Sequence, residues 1–166
     1  MKKTNLSEYD AAGIGDAGEC IIGVIAAEWN AEVTDALLKG CMETLKENGM
    51  KDENILVARV PGTFELSSAA DIMLQNKDMD AVVCIGCVIQ GETRHFEFIC
   101  QAVAQGLTNV ALKHSRPVIF SVLTCDTMEQ ALDRAGGRHG NKGVEGAVTA
   151  LKMCAYRNTL VPKIPV

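Results

Sequence analysis

The sequence predicts an α/β domain built as a three-layer αβα sandwich around a central four-stranded parallel sheet. Three observations lead there. Four short apolar runs rich in β-branched residues are each followed by a stretch with apolar residues at helical spacing. The third run, Ala81 to Ile89, is apolar throughout, as a strand buried on both faces must be. Strands that alternate with helices pair in parallel, because each crossover returns the chain to the same end of the sheet.

The elements follow in order. Residues 1–19 are polar and glycine-rich and read as an irregular or extended arm. Residues 20–27 form the first strand. A helix then carries Val33, Leu37, Leu38, Cys41 and Leu45 inward, and Asn48-Gly49 stops it as a C-cap pair would. Residues 54–60 form the second strand, with Pro61-Gly62-Thr63-Phe64-Glu65 as the turn after it. The next helix shows Leu66, Ala69, Ala70 and Met73 on one face. After the central strand, Gln90-Gly91 breaks the run, and Glu92, Thr93, Arg94 and His95 form the first turn of a third helix. That helix turns Phe96, Ile99, Cys100, Val103 and Leu107 inward. Ser115-Arg116-Pro117 opens the fourth strand, residues 118–123. Thr127 and Gln130 make a capping box for a short helix with Met128, Ala131, Leu132 and Ala135 inward. Residues 136–140 read as a tight loop. A last helix begins near Asn141, with Val144, Ala147, Val148, Leu151 and Ala155 inward. The expected organisation is an arm at 1–19, one domain at 20–158 and a tail at 159–166.

Bulk properties narrow the function. A chain of 166 residues favours one domain, and its 48% hydrophobic content suits a packed core. The formal net charge of −5 argues against a general nucleic-acid binder. No apolar run reaches the roughly 18 residues of a membrane helix. No signal peptide is expected, because no apolar core follows Lys2 and Lys3. The seven cysteines lie mostly in apolar runs, which suits a reducing, cytoplasmic compartment. Cys84 and Cys87 have half a zinc-site spacing, but three residues apart along a strand they face opposite ways. Gly13, Gly15 and Gly18 match a dinucleotide fingerprint, yet no strand precedes them and no helix follows, so the match lacks its mechanism.

In a parallel sheet the loops after the strands gather at one edge, where such folds keep their ligands. Trp29-Asn30, Thr63-Phe64-Glu65 and residues 90–95 share that edge. Trp29, the sole tryptophan, can stack on a flat heteroaromatic ring or pack as a rim residue on a neighbouring subunit. Glu65 begins a helix, where the dipole favours a carboxylate; it can also bind a polyol or ring N–H groups. His95 is the acid–base candidate, ahead of His114 and His139. Arg134, Arg138 and Lys142 cluster in an acidic chain. Lys142 sits at a helix N-terminus, where a cation is disfavoured unless an anion such as phosphate joins it. The alternative is a solvated basic turn. There is no Ser-His-Asp order, zinc-protease motif or Walker loop. The residues alone support a metal-free site for a flat ring and a small phosphate.

Five motifs resemble those of the lumazine synthases. They are Trp29-Asn30, residues 60–65, residues 86–95, Pro117-Val118-Ile119-Phe120 and residues 134–143, in the family's order and spacing. The resemblance covers about residues 21–156 and implies a flavodoxin-like fold. It implies an enzyme of riboflavin synthesis that joins 5-amino-6-(D-ribitylamino)uracil to 3,4-dihydroxy-2-butanone 4-phosphate, without cofactor or metal. By position, Trp29 matches the aromatic that stacks on the pyrimidine, usually phenylalanine, with Asn30 beside it. Thr63, Phe64 and Glu65 match the ribityl-holding segment, and Val88 and Ile89 the pyrimidine edge. Gly91, Glu92 and Thr93 match the phosphate-side loop, and His95 the proton-transfer histidine. Phe120, Arg134 and Lys142 match residues supplied across a subunit interface, Arg134 as the main phosphate anchor. Gln90 departs from the arginine common there. The resemblance further implies a homopentamer with sites between subunits. The compact loop at 136–141 is similar to that of members forming icosahedral capsids. An archaeal-type riboflavin synthase and a non-catalytic flavin-binding or cage-forming protein are the alternatives.

Overall fold

The computed structural model describes residues 5–15 and 19–160. The end of the glycine motif (Gly18) and residues 161–166 of the expected tail lie outside them. The strands are β1 (Ile22–Ala27), β2 (Ile55–Val60), β3 (Ala81–Ile89) and β4 (Val118–Cys125). The helices between and after them are α1 (Ala31–Glu47), α2 (Leu66–Asn76), α3 (His95–His114) and α4 (Met128–Asp133). A small hairpin, β5 (Ala135–Gly137) and β6 (Gly140–Asn141), leads into α5 (Lys142–Leu160).

The main sheet is parallel throughout, in the order β2-β1-β3-β4. Side chains alternate across it. Ile22, Val24, Ala26, Val83, Ile85 and Cys87 face the layer of α1 and α5, with Leu37, Leu45 and Leu151. Ile25, Val82, Cys84 and Val122 face α2 and α3, with Leu66, Val103 and Leu107. Cys84 and Cys87 therefore point into opposite layers. Burying each of these larger side chains contributes roughly 1.5–3 kcal/mol, so the two layers carry most of the fold's stability.

Several boundaries differ from the sequence expectation, each for a local reason. Residues 92–94 precede α3; Glu92, Thr93 and Arg94 stay exposed, and the helix begins at His95. Strand β4 runs two residues further, to Cys125, because it keeps pairing with β3 through Ile89. Ala135 is not on α4: Arg134 ends that helix, and Ala135 pairs with Asn141 instead. The expected tight loop is thus a hairpin, with Gly136 and Gly140 at φ 112° and 85°, a region that favours glycine. Helix α5 continues to Leu160, past the expected start of the tail.

The described part of the arm folds back on the domain. Ile14 is buried against the α1/α5 layer. The Leu6 amide donates to the His139 carbonyl, and Ser7 Oγ accepts from the Asn141 amide at 2.6 Å. The arm therefore braces the hairpin that leads into α5.

Candidate functional site

The carboxyl ends of β1, β2 and β3 open on one side of the sheet. The ladder between β1 and β2 extends beyond both strands: the Glu28 amide donates to the Val60 carbonyl at 2.8 Å, and the Trp29 amide to the Pro61 carbonyl at 3.0 Å. This carries Trp29 out over the loop after β2, where its side chain is 67% exposed. Asn30 takes a left-handed conformation at the start of α1, and its amide donates to the Cys87 carbonyl at 2.9 Å. Asn30 thus ties β1 to β3, a structural task that uses its donor.

The loop after β2 is anchored by Thr63. Its buried hydroxyl accepts from the Cys87 amide at 3.2 Å and lies 3.4 Å from the Cys87 carbonyl. A Cβ at Gly86 would stand 2.7 Å from that hydroxyl, so the bare backbone there lets the loop sit down on β3. Phe64 projects outward, 55% exposed. Glu65 turns inward, and its Oε2 is buried without a hydrogen-bond partner. A buried carboxylate oxygen with no donor is costly, and Glu65 does not line the cavity that Thr63 and Phe64 line just before it in sequence.

Trp29, Asn30, Thr63, Phe64, Val88, Ile89 and His95 line one cavity of about 160 Å³ with Cys87 and Ile99. Seven sequence candidates therefore meet in one place. His95 is exposed at the mouth, with its backbone amide 3.4 Å from Thr93 Oγ1. Gln90, Gly91, Glu92 and Thr93 form an exposed loop above the cavity without lining it. The Gln90 side chain folds onto that loop, donating to the Gly91 carbonyl at 2.7 Å.

Arg134 and Lys142 lie elsewhere. They line a second cavity of about 360 Å³ at the carboxyl end of β4, with Thr124, Cys125, Gln130, Asp133, Arg138 and His139. Glu145 on the first turn of α5 joins the two cations: its carboxylate is 3.0 Å from the Arg134 guanidinium and 3.0 Å from Lys142 Nζ. Arg134 also donates to the His139 carbonyl at 3.0 Å. Glu145 explains how a lysine is tolerated at this helix N-terminus. Two cations share one carboxylate, so the cluster keeps a positive excess toward the cavity. Arg138, also on the cavity wall, is paired with Asp133 at 2.7 Å. Phe120, 38% exposed on the edge strand β4, lines neither cavity.

Sequence reasoning missed Cys87, Ile99 and Glu145. Cys87 and Ile99 resembled core positions. Glu145 could have been found from its spacing, three residues after Lys142 on a helix.

A doubly wound sheet with one cavity at the ends of β1, β2 and β3, lined by Trp29, Thr63 and His95, and a basic cavity at the next strand end has the arrangement of a small-molecule-binding α/β protein. The family model described as 6,7-dimethyl-8-ribityllumazine synthase matches residues 19–158. A protein of that name from Cytophaga hutchinsonii is 55% identical over 151 residues, covering 91% of this chain and 94% of the relative. One from Parabacteroides distasonis is 52% identical over 152 residues, covering 92% and 95%. The chain belongs to the 6,7-dimethyl-8-ribityllumazine synthase family.

Proposed function

We propose that this protein is a transferase of riboflavin biosynthesis that condenses 5-amino-6-(D-ribitylamino)uracil with 3,4-dihydroxy-2-butanone 4-phosphate, releasing 6,7-dimethyl-8-ribityllumazine, phosphate and water. The observation that carries the reading is the convergence of Trp29, Thr63, Phe64, Val88, Ile89 and His95 on one cavity in a member of this family. Trp29 is the plate for the pyrimidine, and Val88 and Ile89 face its edge, with Asn30 and Gln90 beside it. Thr63, Phe64 and Glu65 hold the ribityl chain; the place of Thr63 and Phe64 in the cavity wall supports this. Arg134 and Lys142 bind the phosphate, with Gly91, Glu92 and Thr93 on its near side. His95 moves protons as the amine adds to the ketone and phosphate leaves.

Most of the rate enhancement comes from holding two substrates together, a source of up to ~7–11 kcal/mol. A single acid–base group supplies ~10²–10⁴-fold. The direct test mixes protein with both substrates and follows lumazine absorbance alongside phosphate release. His95→Ala should lower kcat by about a hundredfold yet leave measurable turnover. Complete loss with folding and substrate binding intact would contradict the division of labour, and no product from the parent protein would overturn the function.

The active assembly is a homopentamer, further assembled into an icosahedral capsid, in the cytoplasm. The support is geometric. Phe120, Arg134 and Lys142 lie apart from the Trp29 cavity within one chain, so a neighbouring copy's β4 edge would have to complete each site. The short β5–β6 hairpin is compatible with capsid packing. Seven free cysteines suit a reducing compartment. Light scattering should report a particle far larger than a pentamer; pentamers alone would refute the capsid. Among the described residues, no helix is long and apolar enough to cross a membrane.

A further inference from the structure

We propose that Gly62 is a positioning residue: its missing Cβ is the seat of the Trp29 indole and the adjoining Glu65 carboxylate. The inference rests on the function proposed above for its kinetic consequences, but its geometry stands alone.

Gly62 has φ −137° and ψ 176°, an extended conformation open to any residue. Backbone freedom therefore does not account for glycine here. Space does. A Cβ at this position would stand 2.7 Å from Trp29 Cε3, 2.8 Å from Cζ3 and 3.0 Å from Glu65 Oε2. The indole thus lies with the edge of its six-membered ring over bare backbone, while most of the side chain stays exposed for a ligand.

The backbones of plate and seat are joined by the Trp29 N–H to Pro61 carbonyl bond. An added methyl group could not be absorbed by parting the two segments without breaking that bond. The exposed indole is free to swing, so the ring moves and the fold stays. Glu65 Oε2 adjoins the same point, so the methyl would also press on the carboxylate. One absent carbon hence sets the plate for a flat ring and the acceptor beside it.

Gly62→Ala separates this role from a structural one. The variant should unfold near the parent's midpoint, because the atoms in its way belong to mobile side chains. The emission of Trp29, the chain's sole tryptophan, should shift in wavelength and in quenching by acrylamide. KM for the pyrimidine should rise about tenfold. KM for the butanone phosphate should change by less than about twofold, since its cations line the other cavity. In a Trp29→Phe background, where no fused ring lies over position 62, adding Gly62→Ala should cost less than about twofold.

An unchanged emission would overturn the inference, as would a pyrimidine KM equal to the parent's. So would a penalty of the same size in both backgrounds, because it would come from the backbone and not the indole. If Gly62→Ala alone fails to fold, a folded double variant supports the seat and an unfolded one refutes it. If the parent makes no lumazine, the function fails while the emission measurements still decide the geometry.

Discussion

Arg134→Ala should raise KM for the butanone phosphate by about 10- to 100-fold and leave KM for the pyrimidine near the parent value. The range corresponds to the ~1.5–3 kcal/mol of a hydrogen bond to a charged group. The Arg134 guanidinium is held at two points, by Glu145 and by the His139 carbonyl, so it is aimed before any anion arrives. Removing it costs more than one contact. The Glu145 carboxylate is then left opposite Lys142 alone, and the cluster's positive excess is gone. Arg134→Lys should recover part of the loss, since it restores the charge without the planar fork that grips two phosphate oxygens. Steady-state kinetics with each substrate varied in turn would check both variants. A parent-like KM for the phosphorylated substrate in Arg134→Ala would remove Arg134 from the phosphate site.

The largest effect on stability is expected at Gly143. This glycine, the second residue of α5, donates its amide to Asn141 Oδ1 at 2.8 Å and lies against the backbone of α1. A Cβ there would overlap the Leu37 carbonyl oxygen and stand 2.7 Å from the Leu37 carbonyl carbon. Backbone atoms inside a helix have no rotamer in which to escape, so α1 and α5 would have to separate. Gly143→Ala should therefore cost at least about 3 kcal/mol, at the upper end for an overpacked core. For a chain of this size that lowers the thermal midpoint by roughly 6–12 °C. Gly91→Ala is the control: a Cβ there meets nothing within 4 Å, and the midpoint should stay within about a degree. Thermal unfolding followed by circular dichroism gives both values. A Gly143→Ala protein as stable as the parent would mean that the two helices pack more loosely than described.

The contrast between Gly62 and Gly143 shows which parts of the molecule were readable from the sequence. Strands and helices were, because burial imposes a period on the chain: residues 81–89 could only be an interior strand, and Leu37, Cys41 and Leu45 only one face of a helix. The shared edge of Trp29, Thr63 and His95 followed from the strand-helix alternation alone. The start of α3 was misjudged because residues 92–94 are polar in a loop or a first turn alike. The β5–β6 hairpin was read as a loop because five residues rich in glycine carry no periodic signal. The purpose of a glycine at 62 or 143 depends on an atom more than 30 residues, or more than 100, away along the chain. Neither partner leaves a local trace. The same holds for Asn30, whose donor is spent on the Cys87 carbonyl, and for the way Glu145 binds Arg134 and Lys142 together.

The placement of the cysteines has a practical consequence. Six of the seven are buried. Loss of water pushes the Cys41 and Cys87 thiols up to about 12 and raises that of Cys84 as well. The Cys154 thiol is raised by its hydrogen bond with Cys20 and by burial. Burial thus disfavours the thiolate at these positions, and the thiolate is what an alkylating reagent attacks. The six buried cysteines should therefore react slowly with maleimides while the chain is folded. Cys100, half-buried on α3, is the most accessible of the set. With Cys100 replaced by serine, a cysteine introduced on any exposed surface would become the one addressable handle, and reagent uptake at the native positions would report unfolding as it happens.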